Sequence, residues 1–216
     1  MGLRINSIAP DFTAETTDGT VHFHEWLGDS YGILFSHPRD FTPVCTTEFG
    51  AVARLAPEFA RRNTKVMGVS VDSVADHHKW KADIASVGGA PANFPILDDT
   101  SLTVAKLYDM LPAEAYLPDG RTAADSATVR TVFVIDPKKK VRVMLTYPMT
   151  VGRNFDEILR ILDAVQATDK NPIATPANWT PGQDVIVVTS VNLDDAKARF
   201  GAVDVVLPYL RTVKQP

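Results

Sequence analysis

Short apolar runs alternate with amphipathic stretches along most of this sequence, and that alternation limits the fold more than any other feature. The run from Tyr31 to Ser36 (YGILFS) and the run from Lys65 to Val71 (KVMGVSV) have the length and apolar content of strands buried on both faces. Between them, the segment from Thr46 to Arg62 repeats apolar residues such as Phe49 and Phe59 at helical spacing. The pattern predicts a sheet covered by helices, that is, an α/β fold.

The same alternation continues as far as Lys170. Ser73 is a good N-cap residue for a helix that Gly88 and Gly89 would end. The next predicted elements are a strand at Phe94–Leu97, a helix at Leu102–Met110, a polar loop at Ala113–Ala127, a hairpin of strands at Thr131–Ile135 and Val141–Thr146, and a helix after Asn154. Strands that alternate with helices and end in a hairpin and a helix predict an α/β sandwich with a mixed sheet flanked by helices.

A change of composition after Lys170 predicts a second, smaller domain. The segment that follows has the composition of a linker, with Pro172, Pro176, Pro181 and Gly182. Beyond it lie a predicted strand at residues 185–188, a short helix at 193–200 and an apolar stretch at 203–210. So short a segment makes a poor independent core. We therefore expect a main domain over residues 1–170 and a small α+β domain over residues 171–216. The small domain would pack against the main domain or a second subunit.

The composition excludes several functional classes. The chain has 216 residues, of which 45% are apolar and 22% charged, so it can bury a sizeable core and is neither disordered nor a disulfide scaffold. The net charge is −4 and no basic stripe stands out, which argues against a nucleic-acid partner. No apolar run approaches the ~18 residues that cross a bilayer, and the N-terminus lacks the apolar core of a signal peptide. We expect a soluble, cytoplasmic protein without a membrane partner.

Cys45 is the one cysteine of the sequence, so no disulfide can form within the chain. This agrees with the reducing conditions of the cytosol. Taken alone, a single cysteine is more often a small buried hydrophobe than a reactive group. The residues around Cys45 favour the reactive interpretation.

Cys45 lies where a predicted buried strand passes into a predicted helix. The unpaired N–H groups and the positive dipole end of a helix N-terminus favour a thiolate, and the carboxyl ends of strands are where open α/β sheets bind ligands. Pro38 and Pro43 stiffen the loop, and the hydroxyl of Thr42 precedes the thiol by three residues. The arrangement predicts a reactive-thiol site around Cys45, with the thiolate as the main form at pH 7.

The loop also carries a recognisable motif. Pro38-x-x-x-Thr42-x-x-Cys45, within FSHPRDFTPVCTTE, resembles the peroxidatic motif of the peroxiredoxins. Together with GRNFDEILR at residues 152–160, it resembles the one-cysteine subgroup related to mammalian peroxiredoxin six. The resemblance extends along essentially the whole chain, and it implies a thioredoxin-like fold and reduction of peroxides at Cys45. It further implies that Thr42 hydrogen-bonds the peroxide and the thiolate and that Pro38 shields the pocket.

The resemblance assigns further residues to the site. Arg130, in TVRT, is similar to the arginine of the family's active site, and a guanidinium stays charged at any working pH. Without the motif, a single arginine that enters a strand would be interpreted as a solvated edge charge. Glu48 and Arg153 resemble the residues that position this arginine, although they could equally form a surface ion pair.

The histidines leave alternatives open. His22 and His24 are two apart on a predicted strand, a geometry that metals use, but a zinc site needs three or four ligands, so we expect no metal. His77 and His78 are adjacent on a predicted helix and would point in different directions. His37, next to the loop, could tune the pocket, contact a reductant or be a partly buried, hydrogen-bonded histidine.

A second possible site surrounds Ser30. The segment from Gly28 to Gly32 has the G-x-S-x-G spacing of a hydrolase elbow, and mammalian members of the resembled subgroup are associated with phospholipase A2 activity. Ser30 and His24 match the serine and histidine positions, but Lys138 stands where the aspartate would be. An elbow also needs a strand before the serine, whereas Ser30 precedes one. We do not expect lipase activity.

The resemblance implies a thiol peroxidase that reduces hydrogen peroxide and alkyl hydroperoxides and serves antioxidant defence. No cofactor is expected, because the thiolate itself attacks the O–O bond. An external thiol, such as glutathione or thioredoxin, would regenerate the sulfenic acid on Cys45. The resemblance also points to a homodimer that can assemble into a larger ring such as a decamer. The competing functions are a lipid-hydrolysing enzyme that uses Ser30 and a non-catalytic redox sensor.

Overall fold

The computed structural model describes residues 2–116 and 126–216 and divides into two compact units, residues 1–155 and residues 156–216. The strands of the first unit are β1 (Thr13–Thr16), β2 (Gly19–His22), β3 (Tyr31–Ser36), β4 (Thr64–Ser70), β5 (Ile96–Asp98), β6 (Arg130–Ile135) and β7 (Val141–Tyr147). Its helices are α1 (Phe23–Leu27), α2 (Pro43–Arg61), α3 (Val74–Gly88), α4 (Thr103–Leu107) and a short 3₁₀ helix (Ala113–Tyr116). No helix in the described ranges is both long and apolar enough to span a bilayer.

The seven strands form one mixed sheet in the order β2-β1-β5-β4-β3-β6-β7. β3 pairs with β4 in parallel, as β4 does with β5, and β6 pairs antiparallel with both β3 and β7. The predicted mixed sheet flanked by helices is therefore confirmed. β3 lies near the centre of the sheet, so its carboxyl end lies near the middle of the row of strand ends.

Successive side chains of β3 are buried on opposite faces of the sheet, which explains why the sequence of β3 is apolar without interruption. Leu34 joins a core cluster that includes Phe23 of α1 and Val104 of α4. Phe35 points the other way and packs against Phe49 of α2, with 4.9 Å between the ring centroids. Helices thus cover both faces of the sheet.

Most predicted elements occur where the sequence places them. Ser73 caps α3 by accepting a hydrogen bond from the backbone N–H of Asp76, and Gly89 ends the helix in the left-handed region at φ 70°. The predicted loop at Ala113–Ala127 begins instead with the 3₁₀ helix, and the rest of it lies mostly outside the described residues. In the region of the β1–β2 hairpin, only a strand through His22 and His24 is predicted, although Asp18-Gly19 is a hairpin-turn signal.

The second unit contains α5 (Phe155–Lys170), whose first residue belongs to the first unit, and α6 (Leu193–Phe200). Its strands are β8 (Ile173–Ala174), β9 (Val185–Val187), β10 (Asp204–Leu207) and β11 (Leu210–Val213), and they form a four-stranded sheet in the order β10-β11-β9-β8. The small α+β composition agrees with the prediction.

The division between the units comes earlier than the expected boundary at Lys170. The reason is that α5 packs onto the small core of the second unit, where Ala164 and Ala167 lie against a cluster that includes the fully buried Trp179. Arg160 of α5 also donates a hydrogen bond to the carbonyl oxygen of Trp179 at 3.0 Å. The proline-rich segment after Lys170, which has the composition of a linker, contains β8 and this tryptophan.

Candidate active site

Cys45 lies in the first turn of α2, directly beyond the carboxyl end of β3. Thr42 is the N-cap residue in extended conformation (φ −114°, ψ 146°), and Pro43 occupies the first turn. Proline is favoured there because its ring presets φ and its missing N–H would lack a partner within the helix. The side chain of Cys45 is fully buried. The predicted placement of the thiol at a helix N-terminus is confirmed.

Arg130 reaches Cys45 from a distant part of the chain. Its Nη1 lies 3.3 Å from Cys45 Sγ, although 85 residues separate the two. The contact follows from sheet topology, because β6 runs antiparallel to β3 with Phe35 opposite Val132. The first residue of β6 therefore lies beside the end of β3. Arg130 is only 3% exposed, which excludes the solvated edge charge.

Glu48, one turn after Cys45 on α2, holds two arginines with one buried carboxylate. Its Oε2 accepts hydrogen bonds from Arg130 Nη1 at 2.7 Å and from Arg153 Nη2 at 2.6 Å. Its Oε1 accepts from the Nε of Arg153 at 3.0 Å and from the backbone N–H of the same residue at 2.8 Å. Arg130 is fixed on its other side by the carbonyl oxygen of Met149, which accepts from Nε at 2.8 Å. These bonds leave Nη1 of Arg130 facing the sulfur.

Arg153 links this ion-pair cluster to the sheet. Its Nη1 donates to the carbonyl oxygens of Ser36 at 2.8 Å and Thr131 at 3.1 Å, and its guanidinium lies over the ring of Phe35. Burial would raise the pKa of Glu48, but the hydrogen bonds and charge of Arg153 lower it, with a smaller contribution from Arg130. Glu48 is thus an ionised carboxylate in the core. The alternative of a surface ion pair is wrong.

The loop between β3 and α2 carries the two other residues of the motif. Pro38 is buried, while Thr42 is half-buried. Thr42 Oγ1 donates to the carbonyl oxygen of Arg39 at 2.9 Å. That bond uses the hydroxyl proton, so the expected hydrogen bond from Thr42 to the thiolate is not made in this geometry, and Oγ1 can only accept from a further donor.

His37 is fully buried, so it presents no surface to a reductant. Its Nε2 and Asp40 Oδ1 are 2.7 Å apart, and its ring stacks on Trp80 with 5.1 Å between centroids. The other carboxylate oxygen of Asp40 lies 2.6 Å from Nδ1 of His77. Of the alternatives for His37, the hydrogen-bonded histidine agrees with the geometry, with complete rather than partial burial.

Two further groups of residues were considered outside the thiol site: the pair His22 and His24, and the segment around Ser30. The prediction that His22 and His24 share a strand is wrong, because His22 ends β2 and His24 lies in α1, where its Nε2 is 2.8 Å from the carbonyl oxygen of Ala9. Ser30 follows a helix and precedes a strand, the reverse of a hydrolase elbow. Its hydroxyl donates to Oδ1 of Asn63 at 3.1 Å.

One group of side chains within the described ranges has metal-like spacing. His37, Asp40 and Asp72 each offer one ligand atom, and these atoms lie within 4.8 Å of one another. The atoms already take part in hydrogen bonds: Asp40 with both histidines, and Asp72 Oδ2 with Ser70 Oγ at 2.8 Å and with the backbone N–H of Asp40 at 2.9 Å. The set is part of a hydrogen-bonded network that supplies partners to His37 Nε2, to both carboxylate oxygens of Asp40 and to Asp72 Oδ2.

Asp40 and Met149 are not among the residues that the sequence singles out, and His77 is considered there only as a possible metal ligand. Asp40 stands inside the motif loop, so its position was a usable signal. His77 lies on α3 and Met149 acts through its backbone carbonyl, so nothing in their local sequence indicates a link to Cys45.

Comparison with known proteins gives the family. Residues 5–144 match the AhpC/TSA family, and residues 164–202 match the C-terminal domain of 1-Cys peroxiredoxin. The chain is 54% identical over 215 residues to "Peroxiredoxin PRX1, mitochondrial" of Saccharomyces cerevisiae, covering 98% of this chain and 81% of the yeast protein. It is 48% identical over 226 residues to Peroxiredoxin-6 of Rattus norvegicus, covering 100% of this chain and 99% of the rat protein.

Solved structures give the same result. The peroxiredoxin 6 of Arenicola marina has a TM-score of 0.92 at 42% identity, over 100% of this chain and 99% of the other. A yeast mitochondrial 1-Cys peroxiredoxin has a TM-score of 0.88 at 52% identity, over 98% and 99% of the two chains. The suspected resemblance and the thioredoxin-like fold are thereby confirmed. The chain belongs to the AhpC/TSA family as a one-cysteine peroxiredoxin, and it is a thiol peroxidase that reduces hydrogen peroxide and alkyl hydroperoxides.

Proposed function

We propose that Cys45 is the peroxidatic nucleophile of this peroxidase and that Arg130 holds it as a thiolate. The observation that carries this proposal is the 3.3 Å contact between Arg130 Nη1 and Cys45 Sγ at the N-terminus of α2. A guanidinium cannot lose its proton in the working pH range, and the helix dipole acts in the same direction. Because both groups are buried, solvent screens their attraction less than at a surface.

In the proposed reaction the Cys45 thiolate attacks the terminal oxygen of ROOH. A sulfur–oxygen bond forms, the O–O bond breaks, and RO⁻ leaves and takes up a proton as ROH. Sulfur is oxidised to sulfenic acid while the peroxide is reduced. Arg130 stabilises the charge that develops on the departing oxygen, Thr42 Oγ1 accepts the O–H of the bound peroxide, and Pro38 shields the pocket from water.

The second half of the cycle needs a thiol from outside the chain. An external thiol condenses with the sulfenic acid, releases water and forms a mixed disulfide, and a second thiol then releases Cys45. We propose glutathione or thioredoxin as the source. Support comes from the structure of the yeast mitochondrial 1-Cys peroxiredoxin, which is described as showing a thiol resolving mechanism via glutathione/thioredoxin systems.

We further propose that the protein is a homodimer that can assemble into a larger ring. β10 is an edge strand of the small sheet, and Val205, Val206, Leu207 and Tyr209 around it are 42% to 69% exposed. Apolar residues on an unpaired edge strand favour a partner that covers them. Sedimentation of Val206→Glu would test this: we expect a monomer, and an unchanged dimer would contradict the proposed interface.

A cytoplasmic location stays a prediction. The single cysteine agrees with a reducing compartment, whereas a yeast relative has "mitochondrial" in its name. Fractionation of cells that express the full chain would decide between the two compartments.

The experiment that tests the proposed chemistry is steady-state peroxide turnover, with glutathione, thioredoxin and ascorbate supplied in separate reactions. Wild type should consume hydroperoxide with at least one of the two thiol reductants, and Cys45→Ser should consume none. Turnover by Cys45→Ser would overturn the role of the thiol. Very slow wild-type turnover together with a mixed disulfide to one protein would favour the redox sensor instead.

A further inference from the structure

The unusual feature of the site is that the carboxylate of Asp40 contacts a second histidine, His77, besides His37. His77, on α3, is fully buried. Its Nδ1 lies 2.6 Å from Asp40 Oδ2, and its Nε2 lies 3.1 Å from the backbone carbonyl oxygen of Leu97. Both ring nitrogens thus face oxygen atoms, at hydrogen-bond distance, in a place that water does not reach.

The partners determine where the protons are. The carbonyl oxygen of Leu97 can only accept, so Nε2 of His77 carries hydrogen. Burial would raise the pKa of Asp40, but hydrogen bonds from His37 and His77 lower it below its usual value, so Asp40 is a carboxylate that also only accepts. Nδ1 of His77 must therefore carry hydrogen as well. A histidine with hydrogen on both ring nitrogens is an imidazolium.

His37 shares Asp40 but has the opposite charge state. Its Nε2 donates to Asp40 Oδ1, and its buried Nδ1 has no hydrogen-bond partner among residues 2–116 and 126–216. Burial lowers the pKa of His37, against the raising effect of Asp40. The ring is therefore neutral. One carboxylate thus binds one cationic and one neutral histidine, and the charge of Asp40 is balanced by His77.

Asp40 anchors the loop that leads into α2. Its carboxylate binds the two histidines, and its backbone N–H donates to Asp72 Oδ2 at 2.9 Å. The next residue, Phe41, has φ 54°, a left-handed conformation that costs a bulky side chain energy and persists only where neighbours impose it. Thr42 follows as the N-cap residue of α2. The anchoring of Asp40 therefore bears directly on where Thr42 lies.

We propose that His77 is a positioning residue of the peroxidase: as a buried imidazolium it holds Asp40, and through Asp40 it fixes the loop that carries Pro38 and Thr42. The proposal rests on the roles given above to those two residues. It assigns His77 a function through charge and hydrogen bonding, with no contact to the peroxide.

The other charged groups around His77 have their own partners. The ring of His37 is 6.2 Å away between centroids and is neutral. Asp72 accepts from Ser70 Oγ and from the backbone of Asp40. Asp76, adjacent on α3, accepts from Ser73 Oγ at 2.8 Å and from Lys79 Nζ at 3.2 Å. Asp40 is therefore the counter-ion of the imidazolium.

The first test is the charge state itself, measured by ¹⁵N NMR of the histidine rings in the full-length wild-type protein. We expect both ring nitrogens of His77 to be protonated at pH 7. In Asp40→Asn, the amide can donate to Nδ1, so the same ring should become neutral. An unprotonated ring nitrogen on His77 in wild type would overturn the proposal, whatever the activity of the protein.

The second test separates positioning from simple packing. His77→Gln keeps N–H donors but no charge, and it should slow the oxidation of Cys45 by peroxide by roughly tenfold or more, since small misplacements at reacting groups are costly. Alkylation of Cys45 by iodoacetamide, followed against pH, should stay at the wild-type rate. His78→Gln, the exposed neighbour on α3, is the matched control and should change neither rate.

Two outcomes of this kinetic test would overturn the proposal. One is a wild-type peroxide rate in His77→Gln. The other is an equal fall in peroxide oxidation and alkylation, which would indicate a general loss of packing. If wild-type Cys45 itself failed to react with peroxide, the proposed function would fail, while the NMR result would still decide the charge of His77.

Discussion

Replacing Glu48 by glutamine should destabilise the first unit strongly while preserving the shape of the side chain. In the wild type, one carboxylate accepts hydrogen bonds from Arg130 and, three times, from Arg153. All three side chains are nearly inaccessible. The amide of glutamine offers one acceptor oxygen and turns two N–H groups towards donors. Glu48→Gln therefore leaves two buried guanidinium groups without a counter-ion.

The size of the effect follows from the burial of the cluster. Removing one partner of a buried ion pair costs about 3–5 kcal/mol, because the remaining charge is left uncompensated. In a chain of this size each kcal/mol lowers the melting temperature by about 2–4 °C, so Glu48→Gln should melt roughly 6–20 °C below wild type. Domains of this kind have about 5–15 kcal/mol of stability, so the variant should still fold.

The effect should also depend on pH. Burial would raise the pKa of Glu48, but Arg153 and Arg130 lower it below the ordinary value of 4.5. A lowered pKa in the folded state means that the carboxylate stabilises the fold above pH 4.5 and loses this contribution as pH falls through the folded-state pKa. The gap in melting temperature between wild type and Glu48→Gln should therefore be full at neutral pH and should narrow in acid.

Differential scanning calorimetry between acid and neutral pH measures both quantities. Glu58→Gln is the matched control, since Glu58 lies on the same helix and pairs with Arg61 and Arg62 at the surface. We expect little change in its melting temperature, because solvent screens exposed pairs. Equal melting temperatures of Glu48→Gln and wild type at neutral pH, or a gap that persists undiminished in acid, would refute the argument.

Three further predictions concern the thiol, the helix packing and the second unit. Arg130→Met should slow peroxide reduction about 10²–10³-fold, as the loss of one active-site donor typically does. Stopped-flow kinetics measures the rate, and an unchanged rate would contradict the role of Arg130. Gly88→Ala should lower the free energy of unfolding by about 1–3 kcal/mol and so lower the melting temperature, because a Cβ there would lie 2.6 Å from Gly50 Cα. A wild-type melting curve would show that α2 and α3 can move apart without loss of stability. Truncation after Lys170 should cause aggregation in light scattering, since the face of α5 that packs on the rest of the second unit becomes exposed. A soluble truncated chain with an unchanged melting temperature would disprove this.

The elements that could be predicted are those whose signals are local. The apolar run of β3, the Ser73 cap and the glycine that ends α3 act over a few residues, and each occurs in the structure where the sequence places it. The boundary between the units could not be predicted in this way. It depends on which core α5 packs against, and the proline content after Lys170 carries no information on that choice.

In the site around Cys45, too, some features follow from local sequence and others depend on tertiary structure. The sequence by itself determined the thiol at a helix N-terminus, the stiff loop before it and, through the motif, the kind of chemistry, because Pro38, Thr42 and Cys45 lie in one short segment whose backbone preferences are local. Only the tertiary structure decided which side chains contact that thiol and hold its neighbours. Arg130 comes from 85 residues away, and Arg153 lies 105 residues from Glu48. The contact of Arg130 with Cys45 depends on the antiparallel placement of β6 beside β3, which is a choice among strand pairings that no single segment encodes.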